Sequence, residues 1–452
     1  MYICIQFVFC STFMLDIKFI RENAAAIKEA VKNKNITLDI DELLETDKKR
    51  VELLREIENL NGQKNELNEQ MKKASDAERK EIIEKGKAVK NKISEIEPEF
   101  KIISQKFDEL MVKVPTIPSA DTPIGKNGDD NIEVYSWGEK KKFDFEPKDY
   151  MQLGNDLDLI DLEKGAKVAG YRGYYLKNGG VSLVMAMMMY AINKMIEKGY
   201  KPFIPPTLIK GFALFGSGYF KGTDYDPEID EIYQIASSDK EATGEASKEK
   251  KFLVGTAEPS LLAYYADEVF KEEDLPIKVF GFSQCYRSEI GSYGKDTKGM
   301  YRVHEFMKVE QVVVSKADFE ESTKIQEEMV SIAKEMHEEL GLPYRVIKIC
   351  TGDMAAGKYR AFDIEAWLPA SQRWAETGSA SNFADWQARR LNVKYIDKNG
   401  ERKFAHLLND TALPSVRPFL AILENYQQAD GSIVVPEVLR KYMPKNIGVI
   451  KR

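Results

Sequence analysis

Two arginines and two glutamates near the middle of the chain combine the side chains needed to bind a phosphate and an amine. Arg287 and Arg302 carry planar, permanently charged guanidinium groups that suit phosphate. Glu289 and Glu310 supply carboxylates that could face the same site and accept hydrogen bonds from an amine. These residues predict a site for a phosphorylated substrate, although a solvated hairpin with surface ion pairs explains any one of them equally well.

These side chains need a scaffold, and the flanking residues predict a β-hairpin. Residues 278–286 are rich in β-forming side chains, and residues 306–315 alternate in polarity and contain a run of valines. The segment between them contains glycines and basic residues, namely Gly291, Gly294, Lys295, Lys298, Gly299 and Arg302. A connection this long and charged usually carries a function, because a short turn would be easier to close.

The same stretch resembles motif 2 of the class II aminoacyl-tRNA synthetases, in the form found in seryl-tRNA synthetases. Arg287-Ser-Glu is followed by Gly-Ser-Tyr-Gly-Lys-Asp-Thr-Lys-Gly and then by His-Glu-Phe306. The resemblance implies an α+β fold, in which helices flank an antiparallel sheet and an N-terminal antiparallel two-helix coiled-coil arm precedes it. It also implies a serine–tRNA ligase, which would convert ATP to AMP and diphosphate while joining serine to tRNA.

Two further segments resemble the other class II motifs. Residues 183–198 form a methionine-rich apolar helix, and residues 199–206 form a strand that ends in prolines. This unit resembles motif 1, which implies a homodimer, although ordinary core packing also explains the methionines. Residues 408–428 resemble motif 3, with Arg417 directly before Pro418 at the start of a predicted helix.

A hydroxyl and a carboxylate lie near each other at Thr256 and Glu258, which we predict to share one face of an extended segment. Such a pair can hold an ammonium group, and it resembles the Thr-x-Glu element that binds serine in the family. The resemblance implies a serine site made of Thr256, Glu258, Arg287, Glu310, Asn409 and Thr411. Asp410 stands where many family members have glycine, which predicts an additional carboxylate near the pocket that could alter its affinity for the amino acid.

Glu376 and Ser379 are hard oxygen donors three residues apart, a combination that can share a magnesium ion. Without the resemblance, an ordinary loop serine is the simpler interpretation of Ser379. The family pattern implies Mg²⁺ and an ATP site made of Arg287, Ser288, Glu289, Arg302, Val303, Phe306, Glu376, Thr377, Ser379 and Arg417.

The resemblance also implies a role for individual residues of the ATP site. Arg287 would hold the α-phosphate and the substrate carboxylate, Glu289 would read the adenine amino group, and Arg302 would contact the pyrophosphate. Phe306 and Arg417 would stack on the two faces of adenine. Arg287, Glu289 and Arg417 are therefore the implied catalytic residues, and they act by positioning and charge stabilisation.

Apolar residues recur at alternating steps of four and three in two consecutive segments, residues 53–71 and 82–114. This heptad spacing predicts two helices, and the short break at residues 74–76 predicts that they fold back as an antiparallel pair. Gly86 leaves one seam position without a side chain, and Pro98 predicts a kink in the second helix.

The tip of this arm is locally basic although the whole chain is acidic. Residues 72–92 contain eight lysines or arginines and four acidic residues, a local net charge of +4. Such a patch suits a phosphate backbone, whereas on charge alone a solvated helix face is the simpler interpretation. The resemblance implies that the arm of one subunit grips the tRNA(Ser) served by the other, and whether tRNA(Sec) is also a substrate depends on the host.

Changes in composition along the chain, together with the prolines that end the arm, predict four segments. Residues 1–13 are mostly apolar but lack a basic start and a cleavage site, so we interpret them as an upstream extension or a misassigned start rather than a targeting signal. Residues 14–118 form the arm, which two prolines terminate. Residues 119–135 form a polar linker, and residues 136–452 form the catalytic domain.

Composition limits the possibilities further. A chain of 452 residues is long enough for two or three domains, and its net charge of −7 excludes a uniformly basic surface but not a local RNA-binding patch. The four cysteines and three histidines are scattered, which indicates neither a disulfide framework nor a zinc site. This composition favours a cytoplasmic protein that does not bind membranes.

Two other functions stay open on the sequence. An amino acid:carrier-protein ligase would share the catalytic domain, but the predicted arm argues against it. A catalytically inactive RNA-binding paralogue would have no physical need for residues such as Arg287, Glu376 and Arg417.

Overall fold

The computed structural model describes residues 16–236, 240, 244–245, 249–290 and 299–452. The predicted extension at residues 1–13 lies outside these, as do residues 291–298 of the predicted hairpin loop. The chain divides into two compact units. Among the described residues, the smaller unit consists of residues 16–32 and Ile36–Val114. The larger unit consists of Asn33–Asn35 and the described part of Pro115–Arg452.

The smaller unit is helical. Its helices are α1 (Ile17–Glu22), α2 (Ala24–Asn33), α3 (Ile40–Lys73) and α4 (Asp76–Val112). Ion pairs join Lys49 to Glu99 and Glu42 to Lys106, so the start of α3 lies beside the end of α4 and the two helices are antiparallel. Buried side chains of both helices fill the seam between them: Leu60, Val89 and Ile93. The predicted two-helix coiled coil is therefore confirmed.

The break between the two long helices is a well-formed helix start. Ser75 caps α4, and its backbone N–H donates to the carboxylate of Glu78 at 2.8 Å. Helix α4 continues through Pro98 to Val112. Gly86 meets open space where a side chain would stand, since no heavy atom of the described residues outside its own turn of helix lies within 4 Å.

The larger unit contains nine helices among the described residues, and most of them cover its main sheet. They are α5 (Tyr150–Asp156), α6 (Leu162–Ala169), α7 (Asn178–Glu197), α8 (Gly211–Ser217), α9 (Glu258–Tyr264), α10 (Phe319–Glu339), α11 (Trp386–Leu391), α12 (Arg417–Tyr426) and α13 (Glu437–Arg440).

The strands of the larger unit vary from two to eleven residues in length. They are β1 (Ile132–Trp137), β2 (Ile160–Asp161), β3 (Tyr175–Leu176), β4 (Lys201–Phe203), β5 (Leu208–Lys210), β6 (Tyr233–Ile235), β7 (Lys251–Leu253), β8 (Val269–Lys271), β9 (Ile277–Tyr286), β10 (Glu305–Ser315), β11 (Tyr344–Lys348), β12 (Arg360–Leu368), β13 (Arg373–Asn382), β14 (Lys394–Ile396), β15 (Arg402–Phe404), β16 (His406–Pro414), β17 (Ile433–Val434) and β18 (Val449–Ile450).

The largest sheet of the described residues has eight strands in the order β1-β11-β12-β13-β16-β10-β9-β4. All neighbours pair antiparallel except β4 and β9, which run parallel at one edge. The α+β fold with a flanked antiparallel sheet is thus confirmed. The sheet order places β16 between β13 and β10, so segments far apart in the chain become neighbours at the centre of the sheet.

Alternate residues of a strand point to opposite faces, and β10 shows which helices each face packs against. Val309 and Val313 join the apolar cluster that contains residues of α7, α10 and α12. Val312 and Val314 join the cluster that contains residues of α9 and α11. The predicted hairpin is also confirmed, since β9 and β10 pair with Phe306 opposite Cys285.

Helix α7 is long and apolar enough to cross a membrane by length and composition alone. However, 56% of its apolar 18-residue stretch is buried inside the protein. Leu183, Met187 and Met188 have no exposed surface and belong to the main apolar cluster. We therefore interpret α7 as a core helix.

The segment around Thr256 differs from the prediction. Instead of an extended strand, helix α9 begins at Glu258, with Pro259 in its first turn. Proline suits this position, because its missing N–H would be unpaired there in any residue and its fixed φ matches a helix. The Thr256–Glu258 pair therefore reaches the site from a helix start rather than from one face of a strand.

Candidate active site

Four side chains of the predicted serine site lie together at the centre of the sheet. Asn409 donates to Glu258 Oε1 at 2.8 Å, and Thr411 donates to Glu310 Oε2 at 3.1 Å. All four are buried. Strand β16 supplies Asn409 and Thr411, its neighbour β10 supplies Glu310, and the start of α9 supplies Glu258, so three separate segments converge on one pocket.

Glu258 is a buried carboxyl group held by neutral donors. Gln387 donates to its Oε1 at 2.7 Å, and the hydroxyl of Tyr219 donates to its Oε2 at 3.3 Å. Burial, followed by repulsion from Glu310, raises the pKa of Glu258 to about 7. Its charge is therefore sensitive to a cation that enters the pocket, and a substrate ammonium group would favour the ionised form.

Thr256 brings a hydroxyl into this region. Its side chain is buried, and its Oγ1 has no hydrogen-bond partner among the described residues. A buried hydroxyl without a partner costs free energy, which a polar ligand would recover.

Asp410 does not lie in this pocket, which corrects the expectation that its carboxylate alters the affinity for the amino acid directly. It lies between Asn409 and Thr411 on β16, and alternation turns it to the other face of the sheet. There Gln311 donates to its Oδ2 at 3.1 Å and also to the carbonyl of Met329 in α10 at 3.4 Å. Burial raises the pKa of Asp410 well above its ordinary range.

Sequence reasoning missed several side chains that complete the pocket. Lys308 Nζ lies 2.5 Å from Glu310 Oε2, and the donors Tyr219 and Gln387 hold Glu258. Lys308 could have been found from its position, because residues two apart on one strand share a face. Tyr219 and Gln387 carry no local signal, since they reach Glu258 only through tertiary packing.

A cluster of opposite charges forms the second part of the site, at the mouth of the β9–β10 hairpin. Glu289 Oε2 lies 3.3 Å from a guanidinium nitrogen of Arg302 and 3.3 Å from one of Arg172. Glu289 has a left-handed backbone with φ of 56°, a strained conformation for a residue with a side chain. Arg172, which the sequence analysis did not assign, is thus a further member of this cluster.

Arg287 stands between the two parts of the site. Its Nε donates to the carbonyl of Gly255 at 3.2 Å, beside Thr256, and its guanidinium carbon lies 5.4 Å from the centre of the Phe306 ring. Its backbone N–H donates to the carbonyl of His304 at 3.0 Å, which closes the hairpin beyond the strands.

Arg417 begins α12, as predicted, and is bound to the strand that carries Glu376. Its Nη1 donates to the carbonyl of Glu376 at 2.8 Å and lies 3.3 Å from the carboxylate oxygen Oε2. Partial burial opposes ionisation of Glu376, whose side chain is still 45% exposed, but the neighbouring Arg417 and Arg287 outweigh it and lower its pKa. The guanidinium carbon of Arg417 also lies 4.6 Å from the ring centre of Tyr301, within the range of a cation–π contact.

The remaining predicted ATP-site residues are Ser379 and Thr377 on strand β13, and Val303 and Ser288 near the hairpin. Ser379 lies directly opposite Asp363 in the β12–β13 pair. Thr377 lies in a bulge of the same pair, and its buried hydroxyl contacts His337 at 2.7 Å. Any contact between Thr377 and a nucleotide would therefore involve its backbone. Val303 is buried in the main apolar cluster, and Ser288 is partly buried beside Arg287.

The oxygen donors fit a magnesium site that a substrate completes. Among the described residues, no group of three or more His, Cys, Asp or Glu side chains is arranged to hold a metal ion alone. Magnesium usually takes one or two protein carboxylates together with substrate phosphates and waters. The Glu376 side chain is 45% exposed and could offer its carboxylate, and Ser379 adds a hydroxyl on the same strand.

Comparison with known proteins first defines the class of protein that this fold and site represent. Residues 240–426 match the family model for the tRNA synthetase class II core domain (G, H, P, S and T). Residues 14–118 match the model for the seryl-tRNA synthetase N-terminal domain. The larger unit is thus the core of a class II aminoacyl-tRNA synthetase, and the smaller unit carries the helical arm.

Individual relatives narrow this class to one family. Serine–tRNA ligase from Treponema denticola is 44% identical over 95% of this chain and 98% of its own length. The enzyme of the same name from Deinococcus radiodurans is 39% identical over 95% and 97%. A crystal structure of Pyrococcus horikoshii seryl-tRNA synthetase complexed with ATP superposes with a TM-score of 0.84, at 34% identity over 97% of this chain and 99% of that one. The chain therefore belongs to the seryl-tRNA synthetase family, and the predicted serine–tRNA ligase is confirmed.

Proposed function

We propose that this chain activates L-serine with ATP and Mg²⁺ to give seryl-adenylate, and then transfers serine to the 3′ end of tRNA(Ser). In the first step a serine carboxylate oxygen bonds to the α-phosphorus of ATP while the bond to the departing diphosphate breaks. In the second step a ribose hydroxyl of the tRNA takes the acyl group and AMP leaves. Neither step needs a nucleophilic side chain, so the protein contributes position and charge. The observation that carries the proposal is the buried pair Glu258–Asn409 beside Arg287.

The serine site is the buried pocket at the centre of the sheet. Glu258 and the unpartnered hydroxyl of Thr256 would receive the ammonium group, which a carboxylate attracts most strongly when water is excluded. Glu310 and Thr411 would receive the serine hydroxyl, and Asn409 would hold Glu258 in place. A pocket that hydrogen-bonds a substrate hydroxyl can reject an analogue without it by up to ~10⁴-fold, which would exclude alanine.

The ATP site extends from Arg287 to Arg417. Arg287 would contact the α-phosphate and the serine carboxylate, since it lies beside both Thr256 and Phe306. Phe306 and Arg417 would enclose adenine, and the contacts of Arg417 with the Glu376 segment would hold its guanidinium for stacking. When ATP binds, Glu289 and Arg302 would break their ion pair. Glu289 would then contact the adenine amino group, and Arg302 would contact the diphosphate.

The fit of the oxygen donors described above supports a role for Mg²⁺. Glu376 and Ser379 would hold the ion against the ATP phosphates, where it would offset the charge of the departing diphosphate. Asp363 lies opposite Ser379 on the neighbouring strand and would orient that hydroxyl.

A stripe on α7 supports a homodimer. One face of the helix is buried, yet Val181, Met185, Met189 and Ile196 are 42–48% exposed at spacings that place them on a common side. Exposed apolar side chains aligned in this way favour contact with a second protein surface. We propose that this surface is a second copy of the same chain, and that the dimer acts in the cytoplasm.

The arm is proposed to bind tRNA through its basic tip. Several tip lysines pair with acids one turn away, such as Lys85 with Glu81 and Lys87 with Glu84, and these pairs are exposed. Exposed pairs of this kind contribute little to stability, so phosphates could replace the acids at small cost. A carrier-protein ligase would have no use for such an arm. The same arm could serve tRNA(Sec) in a host that has it.

The first experiment is amino-acid-dependent ATP–diphosphate exchange across all twenty amino acids, with and without Mg²⁺. We expect exchange with serine alone, dependent on Mg²⁺ and abolished in Arg287→Ala. Exchange with a different amino acid would overturn the serine assignment. Absence of exchange in well-folded protein would instead favour an inactive RNA-binding paralogue.

A mixed dimer tests the role of the arm across subunits. One subunit would carry Arg287→Ala, and the other would carry glutamates in place of Lys80, Lys90 and Lys92. If the arm of one subunit serves the active site of the other, the mixture regains aminoacylation of tRNA(Ser) that neither parent shows. A dimer with both changes in one subunit and none in the other is the matched control. No recovery in the mixture would contradict binding across subunits.

A further inference from the structure

A lysine that lies inside the serine pocket has no role in the function proposed so far. Lys308 Nζ lies 2.5 Å from Glu310 Oε2 and donates to Thr411 Oγ1 at 3.3 Å. The side chains of Lys308 and Glu310 are only 6% and 3% exposed. Lys308 and Glu310 point to the same face of β10 because they are two residues apart on the strand.

A buried ion pair of this kind contributes little net stability to the fold. Removing two charges from water costs several kcal/mol per ion, and apolar residues of similar volume often stabilise a fold equally well. Lys308 is nevertheless placed where negative charge accumulates, because Glu258 and Glu310 are both buried in one pocket and repel each other. Its ammonium group offsets this repulsion before a substrate arrives.

The hydrogen bonds also fix the direction of the Thr411 hydroxyl. A hydroxyl offers one proton and two lone pairs. The proton of Thr411 is donated to Glu310 at 3.1 Å, and one lone pair accepts from Lys308 at 3.3 Å. What Thr411 can offer a ligand is therefore an acceptor. A serine hydroxyl can donate to it, a cysteine thiol donates weakly, and alanine has no donor at all.

We propose that Lys308 is a positioning and specificity residue for the amino acid: it holds Glu310 and Thr411 in the arrangement that accepts a hydrogen bond from the substrate hydroxyl. This inference rests on the proposed function, because it takes Glu310 and Thr411 as the hydroxyl site. Lys308 acts through these two residues and not on the reacting atoms. It should therefore affect serine binding and selectivity more than ATP binding.

The test is ATP–diphosphate exchange with Lys308→Met at varied serine and varied ATP. We expect the serine KM to rise about 10- to 100-fold, the size of a lost hydrogen bond to a charged group, while the ATP KM changes less than about twofold. The preference for serine over cysteine, measured as a ratio of kcat/KM, should fall about tenfold. Lys308→Arg keeps the charge and should restore part of the serine affinity.

A second lysine of the same hairpin provides the matched control. Lys278 pairs with Glu328 at 2.7 Å, outside the pocket, so Lys278→Met should leave both KM values and the serine-to-cysteine ratio unchanged. Because Lys308→Met leaves the buried Glu310 uncompensated, the double variant Lys308→Met with Glu310→Gln is also measured. It removes both charges and should fold, and its serine KM is compared with that of Glu310→Gln alone, because Glu310 is itself assigned to the hydroxyl site.

The possible failures are distinguishable. If the unmodified chain shows no serine-dependent exchange, the proposed function fails before any variant is measured. If it does show exchange but folded Lys308→Met keeps the serine KM within twofold, only the role of Lys308 is overturned. A loss of activity that affects the serine and ATP KM equally would also overturn it, because a purely structural residue gives that result.

Discussion

The side-chain amide of Asn409 donates to the carboxylate of Glu258 at 2.8 Å, although 151 residues separate the two in the chain. The same oxygen accepts from Gln387 at 2.7 Å. Neutral amides hold the carboxylate in place but do not cancel its charge, so Glu258 is positioned in advance and still able to attract a cation. This arrangement suits an amino-acid ammonium group and leads to the first prediction.

Serine use should depend on the ionisation of Glu258. Because burial and Glu310 raise the pKa of Glu258 to about 7, kcat/KM for serine in ATP–diphosphate exchange should rise as the pH increases through about 7. Glu258→Gln should lower this kcat/KM by about 10- to 100-fold and abolish that rise. If the rise with pH persists in the variant, another group controls it. Asp363 is the first to consider, because burial raises its pKa to about 7.

The same carboxyl group affects folding with the opposite sign. Its ordinary pKa is 4.5 and its folded pKa is about 7, so the folded chain binds the proton more tightly than the unfolded chain. The free energy of unfolding should therefore fall as the pH rises from 4.5 towards 7, and Glu258→Gln should remove this part of the loss. Urea unfolding of both proteins at pH 5 and pH 8 measures the difference.

Replacement of Arg417 should weaken ATP use more than serine use. Arg417 contacts the carbonyl and carboxylate of Glu376, and we propose that it covers adenine. Arg417→Ala should lower kcat/KM for ATP by at least about 10²-fold, the size expected when a placed charge is lost, and Arg417→Lys should recover only part because it cannot stack as a plane. Arg389→Ala, which removes an arginine paired with Asp385 elsewhere, should have little effect.

Adjacent residues of β16 should respond differently to substitution. Asn409→Ala removes a donor to Glu258 and should raise the serine KM about tenfold or more. Asp410→Asn changes a carboxylate on the other face of the sheet and should leave the serine KM within about twofold. An equal effect of the two substitutions would contradict the assignment of the pocket to one face.

The arm should become more stable when its empty seam position is filled. Gly86 lies inside α4, and a Cβ added there would meet no heavy atom of the described residues within 4 Å outside its own turn of helix, so Gly86→Ala should stabilise the arm by about 0.5–1 kcal/mol. Amide hydrogen exchange in α3 and α4 measures the change. Gly165→Ala is the contrast, because its new carbon would lie 2.4 Å from the Tyr174 Cα and should destabilise the catalytic unit. Slower exchange is required; an unchanged or faster rate for Gly86→Ala would refute the prediction.

Local patterns predicted the elements and much of the site. The steps of three and four between apolar residues predicted the two long helices, and Arg417 before Pro418 predicted a helix start, because such signals depend only on neighbours in the chain. The strands on either side of Arg287 were predicted to within one residue of their observed limits at the hairpin. The segment of Thr256 was predicted wrongly as extended, because a helix start and a strand end look alike over three residues.

By itself the sequence determined which residue types are available and which short elements carry them. Only the tertiary structure decided that Asn409 and Thr411 face the pocket while Asp410 between them does not, and that Lys308 completes it. The physical reason is that a shift of one residue reverses the face of a strand. The choice of face depends on the apolar clusters that pack against each side of the sheet. Those clusters join segments far apart in the chain, so the spacing of neighbouring residues cannot predict them.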